Sequence, residues 1–210
     1  MTLTPRTAAI AATALALIGL GAGWWAVNRG GASADAFAQC RQGVVSGGGA
    51  IGGPFTLVDE NGKTVTDQEV FTKPSLLYFG YTFCPDVCPL DSARNAEAAT
   101  LLEEKGMDVT PVFISVDPAR DTPEVVRDFT DALHPKMIGL TGSPEQVAAA
   151  SRAYRTYYKA QSPDDDYYLV DHSTQTYLVL PKTGFVEFFN RDVSPQQMAD
   201  RVECFVKAAS

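Results

Sequence analysis

Apolar positions along the chain fall into short blocks that alternate between strand-like and helix-like patterns. The blocks at 75–81 (SLLYFGY) and 109–116 (VTPVFISV) are short and mostly apolar, as buried strands are. Several longer segments open with proline, or with proline after serine or threonine, which is typical of helix starts. The sequence therefore predicts strands at 55–58, 64–66, 75–81, 109–116, 137–140, 176–180 and 185–189, and helices at 89–105, 122–133, 143–158 and 194–207.

The order of these elements predicts an α/β domain. An Asn61-Gly62 turn joins the first two strands into an N-terminal β-hairpin. Strands and helices then alternate, and a hairpin with a helix closes the chain, which indicates a mixed central sheet with helices on both faces. This order is that of the thioredoxin-like fold, in which reactive cysteines lie where the first central strand meets a helix.

The start of the chain differs from the rest. Residues 8–27 contain no charge and end near two tryptophans, and twenty helical residues span about 30 Å of hydrocarbon. We expect one N-terminal transmembrane helix as a membrane anchor at 1–28, a flexible tether rich in Gly, Ala and Ser at 29–52, and a globular domain at 53–210. A cleaved signal peptide is the alternative for the first segment. Under either interpretation, the globular domain is exported across the membrane.

Charge narrows the possible partners. The chain has 17 Lys and Arg against 25 Asp and Glu, a formal net charge of −8, and its basic residues form no run. No nucleic acid partner is expected, because phosphate contacts need clustered positive charge. Four cysteines are too few for a disulfide scaffold, yet two of them are only four positions apart.

The hexapeptide CPDVCP at 84–89 is the most informative motif. A proline after each cysteine disfavours the helical conformation for both, so Cys84 and Cys88 are expected on a turn, with Cys88 at or near the N-cap of a helix starting at Pro89. Free N–H groups there favour a thiolate, which serves either as a metal ligand or as a nucleophile in disulfide exchange. Such a turn argues against simple hydrophobic packing and against a permanent structural disulfide.

A histidine is the third candidate ligand. His172 precedes the strand predicted at 176–180, and in a thioredoxin-like sheet this position lies beside the cysteine turn. From the residues alone, a surface histidine is an equally good interpretation. The other histidine, His134, lies at the end of a predicted helix and is expected to cap it.

Two aspartates adjoin the candidate ligands. Asp171 is expected to hydrogen-bond one ring nitrogen of His172 and leave the other for a metal. Asp86 lies between the cysteines, where it steers a basic partner, tunes the thiol pKa, or serves only as a turn residue.

The donor types indicate which metal is expected. Two thiolates and an imidazole suit Cu(I), and cysteine with histidine also holds Cu(II). A structural zinc site takes four protein ligands, whereas three are found here. Thioredoxin-type redox pairs are usually Cys-x-x-Cys, and the extra residue in this chain lets both sulfurs converge on one ion.

Several stretches together resemble a known family. They are FTL at 55–57 with NGK at 61–63, YFGYTFCPDVCP at 78–89, SVDP at 115–118 with RDTP at 120–123, and DHS at 171–173. With these stretches in this order, the chain resembles the Sco/SenC family of copper-binding proteins from about residue 53 to its C-terminus.

The resemblance implies a copper metallochaperone that assists assembly of the copper centre of cytochrome c oxidase, without substrate turnover. It implies Cys84, Cys88 and His172 as copper ligands, and the copper-bearing oxidase subunit and a copper donor protein as partners. It also implies a membrane-anchored domain facing the periplasm from the inner membrane, or the intermembrane space from the mitochondrial inner membrane. Because family members also take part in thiol–disulfide exchange, the alternative is a thiol–disulfide oxidoreductase that uses Cys84 and Cys88 on the cysteines of an oxidase subunit.

The remaining cysteines suggest a structural role. Cys40 and Cys204 lie at opposite ends of the predicted domain, and the ends of a domain are often close in space. In an oxidising compartment we therefore expect a disulfide between Cys40 and Cys204 that staples the tether to the closing helix.

Overall fold

The computed structural model describes residues 18–21, 23, 36–41, 51–162, 165 and 167–209. It divides into two units, residues 1–38 and residues 39–210. In the first unit, residues 18–21 and 23 are helical. Among the described residues, no helix has the length and apolar character needed to cross a bilayer. Most of the predicted anchor or signal segment, and most of the predicted tether, lie outside the described residues.

The second unit contains nine strands and five helices among its described residues. The strands are β1 (Thr56–Asp59), β2 (Thr64–Thr66), β3 (Ser75–Gly80), β4 (Thr110–Ser115), β5 (Ile138–Thr141), β6 (Tyr158–Ala160), β7 (Val170–His172), β8 (Thr176–Leu180) and β9 (Gly184–Phe189). The helices are α1 (Asp67–Val70), α2 (Val87–Glu104), α3 (Pro123–Asp131), α4 (Pro144–Tyr154) and α5 (Pro195–Ala208).

The sheet topology brings three chain segments to one end of the sheet. Seven strands form one sheet in the order β2-β1-β5-β4-β3-β8-β9, and β6 pairs with β7 in a separate ribbon. β3 and β4 are parallel, with Gly80 opposite Ser115 at their carboxyl ends. β8 runs antiparallel to β3, so that Thr176 at its start lies opposite Tyr78. The segments that follow β3 and β4 and the segment that precedes β8 therefore meet.

The centre of the sheet has the predicted thioredoxin-like arrangement. β3, α2 and β4 form a parallel unit, and the β8–β9 hairpin followed by α5 completes the fold. All residues of β3 and β4 are buried, as expected for strands covered on both faces. The predicted N-terminal hairpin is also present. Gly62 in its turn has a φ of +80°, a left-handed conformation that glycine adopts without strain.

Three helices begin at the residues that the sequence indicates. Thr122, Ser143 and Ser194 are the N-caps of α3, α4 and α5, and the side chain of each accepts a hydrogen bond from the backbone N–H three residues later. A proline follows each cap, where the missing N–H has no helical partner to lose. Each cap stabilises its helix by about 1 kcal/mol.

The region after α4 differs from the prediction. The helix ends at Tyr154 and not at residue 158, because Arg155 has a φ of 54° in the left-handed region. The released residues form β6, in which Tyr158 pairs with His172 of β7. His172 therefore lies in a two-stranded ribbon and not in a plain loop.

The short helix α1 was also not predicted. It begins with a capping box formed by Thr66 and Glu69.

A disulfide ties the start of the second unit to its last helix. Cys40 is bonded to Cys204 of α5, with their Cα atoms 5.6 Å apart. The neighbouring Arg41 donates through Nη2 to the carbonyl oxygen of Val186 in β9, at 3.3 Å. These contacts hold residues 40 and 41 against the closing hairpin and helix.

Candidate metal centre

Both cysteines of the CPDVCP motif lie at the junction of β3 and α2. The helix begins at Val87, two residues earlier than predicted, with Asp86 as its N-cap residue. Cys88 is thus inside the first helical turn, and Pro89 occupies a first-turn position whose N–H would have no intrahelical partner. Cys84 precedes the helix, and its N–H donates to the carbonyl oxygen of Tyr81 at 3.3 Å. The motif folds as a turn that leads directly into a helix.

Cys84 is the thiol better suited to ionise. Burial acts to raise the pKa of Cys84, but the backbone N–H groups of Asp86, Cys88 and Val87 point at its sulfur and hold the pKa below its ordinary value. The N–H of Cys88 lies 3.4 Å from Cys84 Sγ. A sulfur that receives several N–H groups at a helix start is stabilised as a thiolate.

Cys88 has the opposite surroundings. Its side chain is 0% exposed, against 8% for Cys84, and this burial raises the pKa of Cys88 well above its ordinary range. Its Sγ lies 3.2 Å from Nε2 of His172. The buried thiol therefore faces an imidazole nitrogen.

His172 presents a defined nitrogen to the cysteines. Its Nδ1 lies 2.9 Å from the carbonyl oxygen of Ser173. Because a carbonyl oxygen only accepts, Nδ1 carries the proton and donates. In the neutral ring Nε2 then has a free lone pair, which is directed toward Cys88 Sγ. A fixed second nitrogen of this kind is common for histidines that bind metals.

Two tyrosines of the β3 segment support the imidazole ring. Tyr78 and Tyr81 each meet it edge to face, with ring centroids 6.1 and 5.7 Å away. The Tyr78 hydroxyl donates to the buried carboxylate of Asp91 at 3.1 Å, and Asp91 is paired with Arg191 at 3.1 Å. The ring is therefore held by side chains whose own positions are fixed.

The three candidate ligands converge. The sulfurs of Cys84 and Cys88 and a ring nitrogen of His172 all lie within 4.8 Å of one another. Bonds of about 2.0–2.3 Å place two ligands of one metal ion up to about 4.6 Å apart. Small side-chain shifts would suffice for all three atoms to bind a single ion, so the donor set fits a three-coordinate metal.

The two aspartates lie at the rim of this cluster. Asp86 is exposed, and its backbone N–H is the part of the residue that acts on Cys84. Asp171 does not hold the imidazole as predicted, since its carboxylate accepts from Gln161 Nε2 at 2.6 Å. Successive side chains on a strand point to opposite faces, which separates Asp171 from the ring of His172. The Ser173 carbonyl takes the predicted role.

Two residues that shape the site, Gly80 and Asp91, were not predicted from the sequence. A Cβ on Gly80 would lie 2.8 Å from Tyr78 Cε1 and 3.1 Å from Cys88 Sγ, so glycine leaves the space that the thiol occupies. An isolated glycine in an apolar strand is the signal for such a close approach. Asp91 lies three residues after Cys88, so the two side chains share one face of the helix. An acidic residue at that spacing is a second sequence signal for a residue that shapes the site.

Comparisons with known proteins agree on one family. The family model described as SCO1/SenC matches residues 44–207. The protein SenC of Rhodobacter capsulatus is 58% identical over 208 residues, which cover 99% of this chain and 94% of that protein. The copper-bound structure of Arabidopsis thaliana ScoI has a TM-score of 0.72 and 44% identity, covering 75% of this chain and 99% of that one. The copper-bound structure of Bradyrhizobium japonicum ScoI has a TM-score of 0.67 and 40% identity, covering 73% and 98%.

Proposed function

Because the chain belongs to the SCO1/SenC family, we propose that it is a copper metallochaperone whose ligands are Cys84, Cys88 and His172. The observation that carries the proposal is the convergence of two sulfurs and one imidazole nitrogen within 4.8 Å. The copper-bound relatives with 44% and 40% identity support the same metal.

The chemistry of the donors also favours copper. Thiolates are soft ligands that select Cu(I), and imidazole suits copper in either oxidation state. A three-ligand set built from cysteine and histidine does not provide the four protein ligands usual in structural zinc sites. Copper here is cargo, received at the reduced cysteines and passed to an acceptor by exchange of ligands. Oxidation of Cys84 and Cys88 to a disulfide would consume the ligand sulfurs and block binding.

Family membership and the uncharged run at 8–27 support a proposed acceptor and a proposed location. The proposed acceptor is the copper-bearing subunit of cytochrome c oxidase, whose copper centre the protein helps to assemble, and a separate protein supplies the copper. Residues 1–28 serve as a membrane anchor, 29–52 as a tether and 53–210 as the copper-binding domain. The uncharged run at 8–27 supports the anchor. The domain faces the periplasm, or the intermembrane space in a mitochondrion.

A second candidate function is thiol–disulfide exchange, which the unequal thiols favour. The Cys84 thiolate, with its lowered pKa, attacks one sulfur of a partner disulfide, breaks the partner's S–S bond and releases one partner thiolate. Cys88 then passes its proton to the released partner thiolate and attacks the Cys84 sulfur of the mixed disulfide. This step releases the second partner thiolate and forms the Cys84–Cys88 bond. The partner gains two electrons and the cysteine pair loses two.

A copper titration separates the two functions. Reduced full-length protein in detergent is titrated with Cu(I) against a competing chelator, alongside His172→Ala. The matched control is His134→Asn. His134 Nδ1 accepts a hydrogen bond from the backbone N–H of Lys136, and asparagine keeps an acceptor near that N–H. One tight site is expected, with the affinity of His172→Ala reduced by about 10–100-fold or more and that of the control unchanged. Equal binding by His172→Ala would overturn the three-ligand site and favour the redox function.

A further inference from the structure

The loop between β4 and α3 contacts both segments that carry the proposed ligands. We call residues Ser115–Asp121 the hub loop. On one side, the carboxylate of Asp121 accepts from the backbone N–H of Thr82 at 3.0 Å and from Thr82 Oγ1 at 2.6 Å. Thr82 is two residues before Cys84. The buried Asp121 therefore pins the turn that presents this cysteine.

On the other side, the hub loop holds the ribbon that carries His172. The hydroxyl of Tyr168 donates to Asp117 Oδ1 at 2.5 Å, and Tyr168 is four residues before His172. Asp117 is buried, and its N–H donates to Ser115 Oγ at 3.0 Å. Ser115 Oγ in turn donates to Asp121 Oδ2 at 2.5 Å. One hydrogen-bonded chain thus runs from Tyr168 through Asp117, Ser115 and Asp121 to Thr82.

Arg120 makes a second connection between the same two segments. Its guanidinium carbon lies 3.6 Å from the ring centroid of Tyr168 and 4.9 Å from that of Phe83, the residue before Cys84. Its Nε donates to Asp117 Oδ2 at 2.5 Å. Arg120 therefore contacts the Cys84 segment through Phe83 and the ribbon through Tyr168.

The ribbon needs such an anchor. β6 and β7 have three residues each, and a two-stranded ribbon is marginally stable by itself. At its base the two strands are joined by the N–H groups of Ser173 and Tyr157, which donate to Tyr157 O and Ser173 Oγ. Near Tyr168, the ring of Tyr167 also meets that of Phe83, with centroids 6.5 Å apart. The hydrogen bond and the stack at Tyr168 are the contacts that tie this end of the ribbon to the hub loop.

We propose that Asp117, Arg120 and Asp121 are positioning residues that hold Cys84 and His172 at metal-binding separation, Asp121 through Thr82 and the other two through Tyr168. The proposal rests on the proposed copper binding. Its physical basis is preorganisation, since a ligand held in place by its surroundings loses less conformational entropy on binding.

The test is a set of conservative variants in two backgrounds. Tyr168→Phe removes one hydroxyl, and Tyr167→Phe is its matched control because Tyr167 is 76% exposed. Thr82→Val removes the Oγ1 donor to Asp121, and Thr82→Ser restores it. Each is made in the full-length protein with His172 present and in His172→Ala, and Cu(I) affinity is measured by chelator competition. Urea denaturation without metal checks that all variants fold.

Tyr168→Phe and Thr82→Val are each expected to raise the Cu(I) Kd by about tenfold, the lower end of the effect of outer hydrogen-bond partners. Tyr167→Phe and Thr82→Ser should stay close to wild type. In His172→Ala the effect of Tyr168→Phe should vanish, because its target is gone, whereas that of Thr82→Val should persist. Equal effects of Tyr168→Phe in both backgrounds, or none in either, would overturn the positioning role.

A readout without copper separates this proposal from the proposed function. Hydrogen–deuterium exchange of the metal-free protein should be faster at the amides of 170–173 in Tyr168→Phe, and unchanged there in Tyr167→Phe and Thr82→Val. Unchanged exchange in Tyr168→Phe would overturn the anchoring of the ribbon, even if wild type binds copper tightly. If exchange is faster in Tyr168→Phe but the wild-type protein fails to bind Cu(I), the anchoring would be supported and the proposed function overturned.

Discussion

The four cysteines form two pairs with opposite properties. Cys40 and Cys204 are separated by 164 residues and are joined by a disulfide. Cys84 and Cys88 are four residues apart and are free thiols, next to the imidazole of His172. The first pair joins the two ends of the unit. The second lies where a strand enters a helix, with N–H groups on one sulfur and a ring nitrogen on the other.

The two pairs show that cysteine side chains of the same chemistry serve different functions when their surroundings differ. Closing a long loop restricts the unfolded chain and stabilises the fold, which is what Cys40 and Cys204 can do. A short loop with a nearby imidazole contributes little by closure but presents soft ligands to a metal. The following substitutions test this division.

The largest effect is expected from removing a sulfur of the proposed copper site. Serine at Cys84 or at Cys88 should weaken Cu(I) binding by more than about 100-fold, because even outer hydrogen-bond partners of metal ligands contribute 10–100-fold. The measurement is chelator competition on reduced protein. The double variant Cys40→Ser/Cys204→Ser is the control and should bind copper as wild type does. A similar loss in the control would contradict the division between the pairs.

The next effect concerns stability. Cys40→Ser/Cys204→Ser should lower the free energy of unfolding by about 2–5 kcal/mol, because the unfolded chain regains the freedom that a long closed loop removes. Urea denaturation of metal-free protein measures it. Wild type treated with a reductant should show the same loss of stability. Unchanged stability in both samples would contradict the stabilising role of the Cys40–Cys204 disulfide.

A smaller effect is expected beneath the site. Gly80→Ala would place a methyl group 3.0 Å from Phe113 Cε2 and 3.1 Å from Cys88 Sγ. Overpacking of this kind costs about 1–3 kcal/mol, and displacement of the sulfur should also weaken Cu(I) binding. Gly53→Ala is the control, since its Cβ would meet Ala153 Cβ at an ordinary 3.5 Å. Equal behaviour of the two variants would show that Gly80 does not shape the site.

The smallest effect is a difference within the free pair. The pKa of Cys84 is lowered and that of Cys88 is raised by burial, so Cys84 ionises at lower pH. In metal-free protein at pH 7, iodoacetamide should modify Cys84 at least about tenfold faster, the factor that one pKa unit gives. The difference should narrow as rising pH deprotonates Cys88. Peptide mass mapping follows both sites, and equal rates at pH 7 would contradict the assigned surroundings.

Local patterns were sufficient to predict much of this fold. The capped starts of α3, α4 and α5, the Asn61-Gly62 turn and the buried strand before Cys84 all depend on neighbours in sequence. The element order then indicated the thioredoxin-like arrangement, and with it the closeness of His172 to the cysteines. The membrane anchor remains a prediction, since it lies mostly outside the described residues.

Other features depend on contacts between distant residues. The end of α4 follows from Arg155 turning left-handed, although the sequence beyond it continues a helical pattern. The β6–β7 ribbon forms only once that helix has ended, and its strand geometry turns Asp171 away from the His172 ring. The space beside Cys88 depends on the packing of Gly80 and Tyr78 against α2. An isolated glycine in a strand indicates a close approach, but it does not indicate which group approaches.

The most direct test of the central claim is X-ray absorption at the copper edge of Cu(I)-loaded, full-length protein. Two sulfur ligands and one imidazole nitrogen are predicted for wild type, with the nitrogen contribution lost in His172→Ala. A copper site with sulfur ligands alone, or one that keeps its imidazole signal in His172→Ala, would contradict the three-ligand centre.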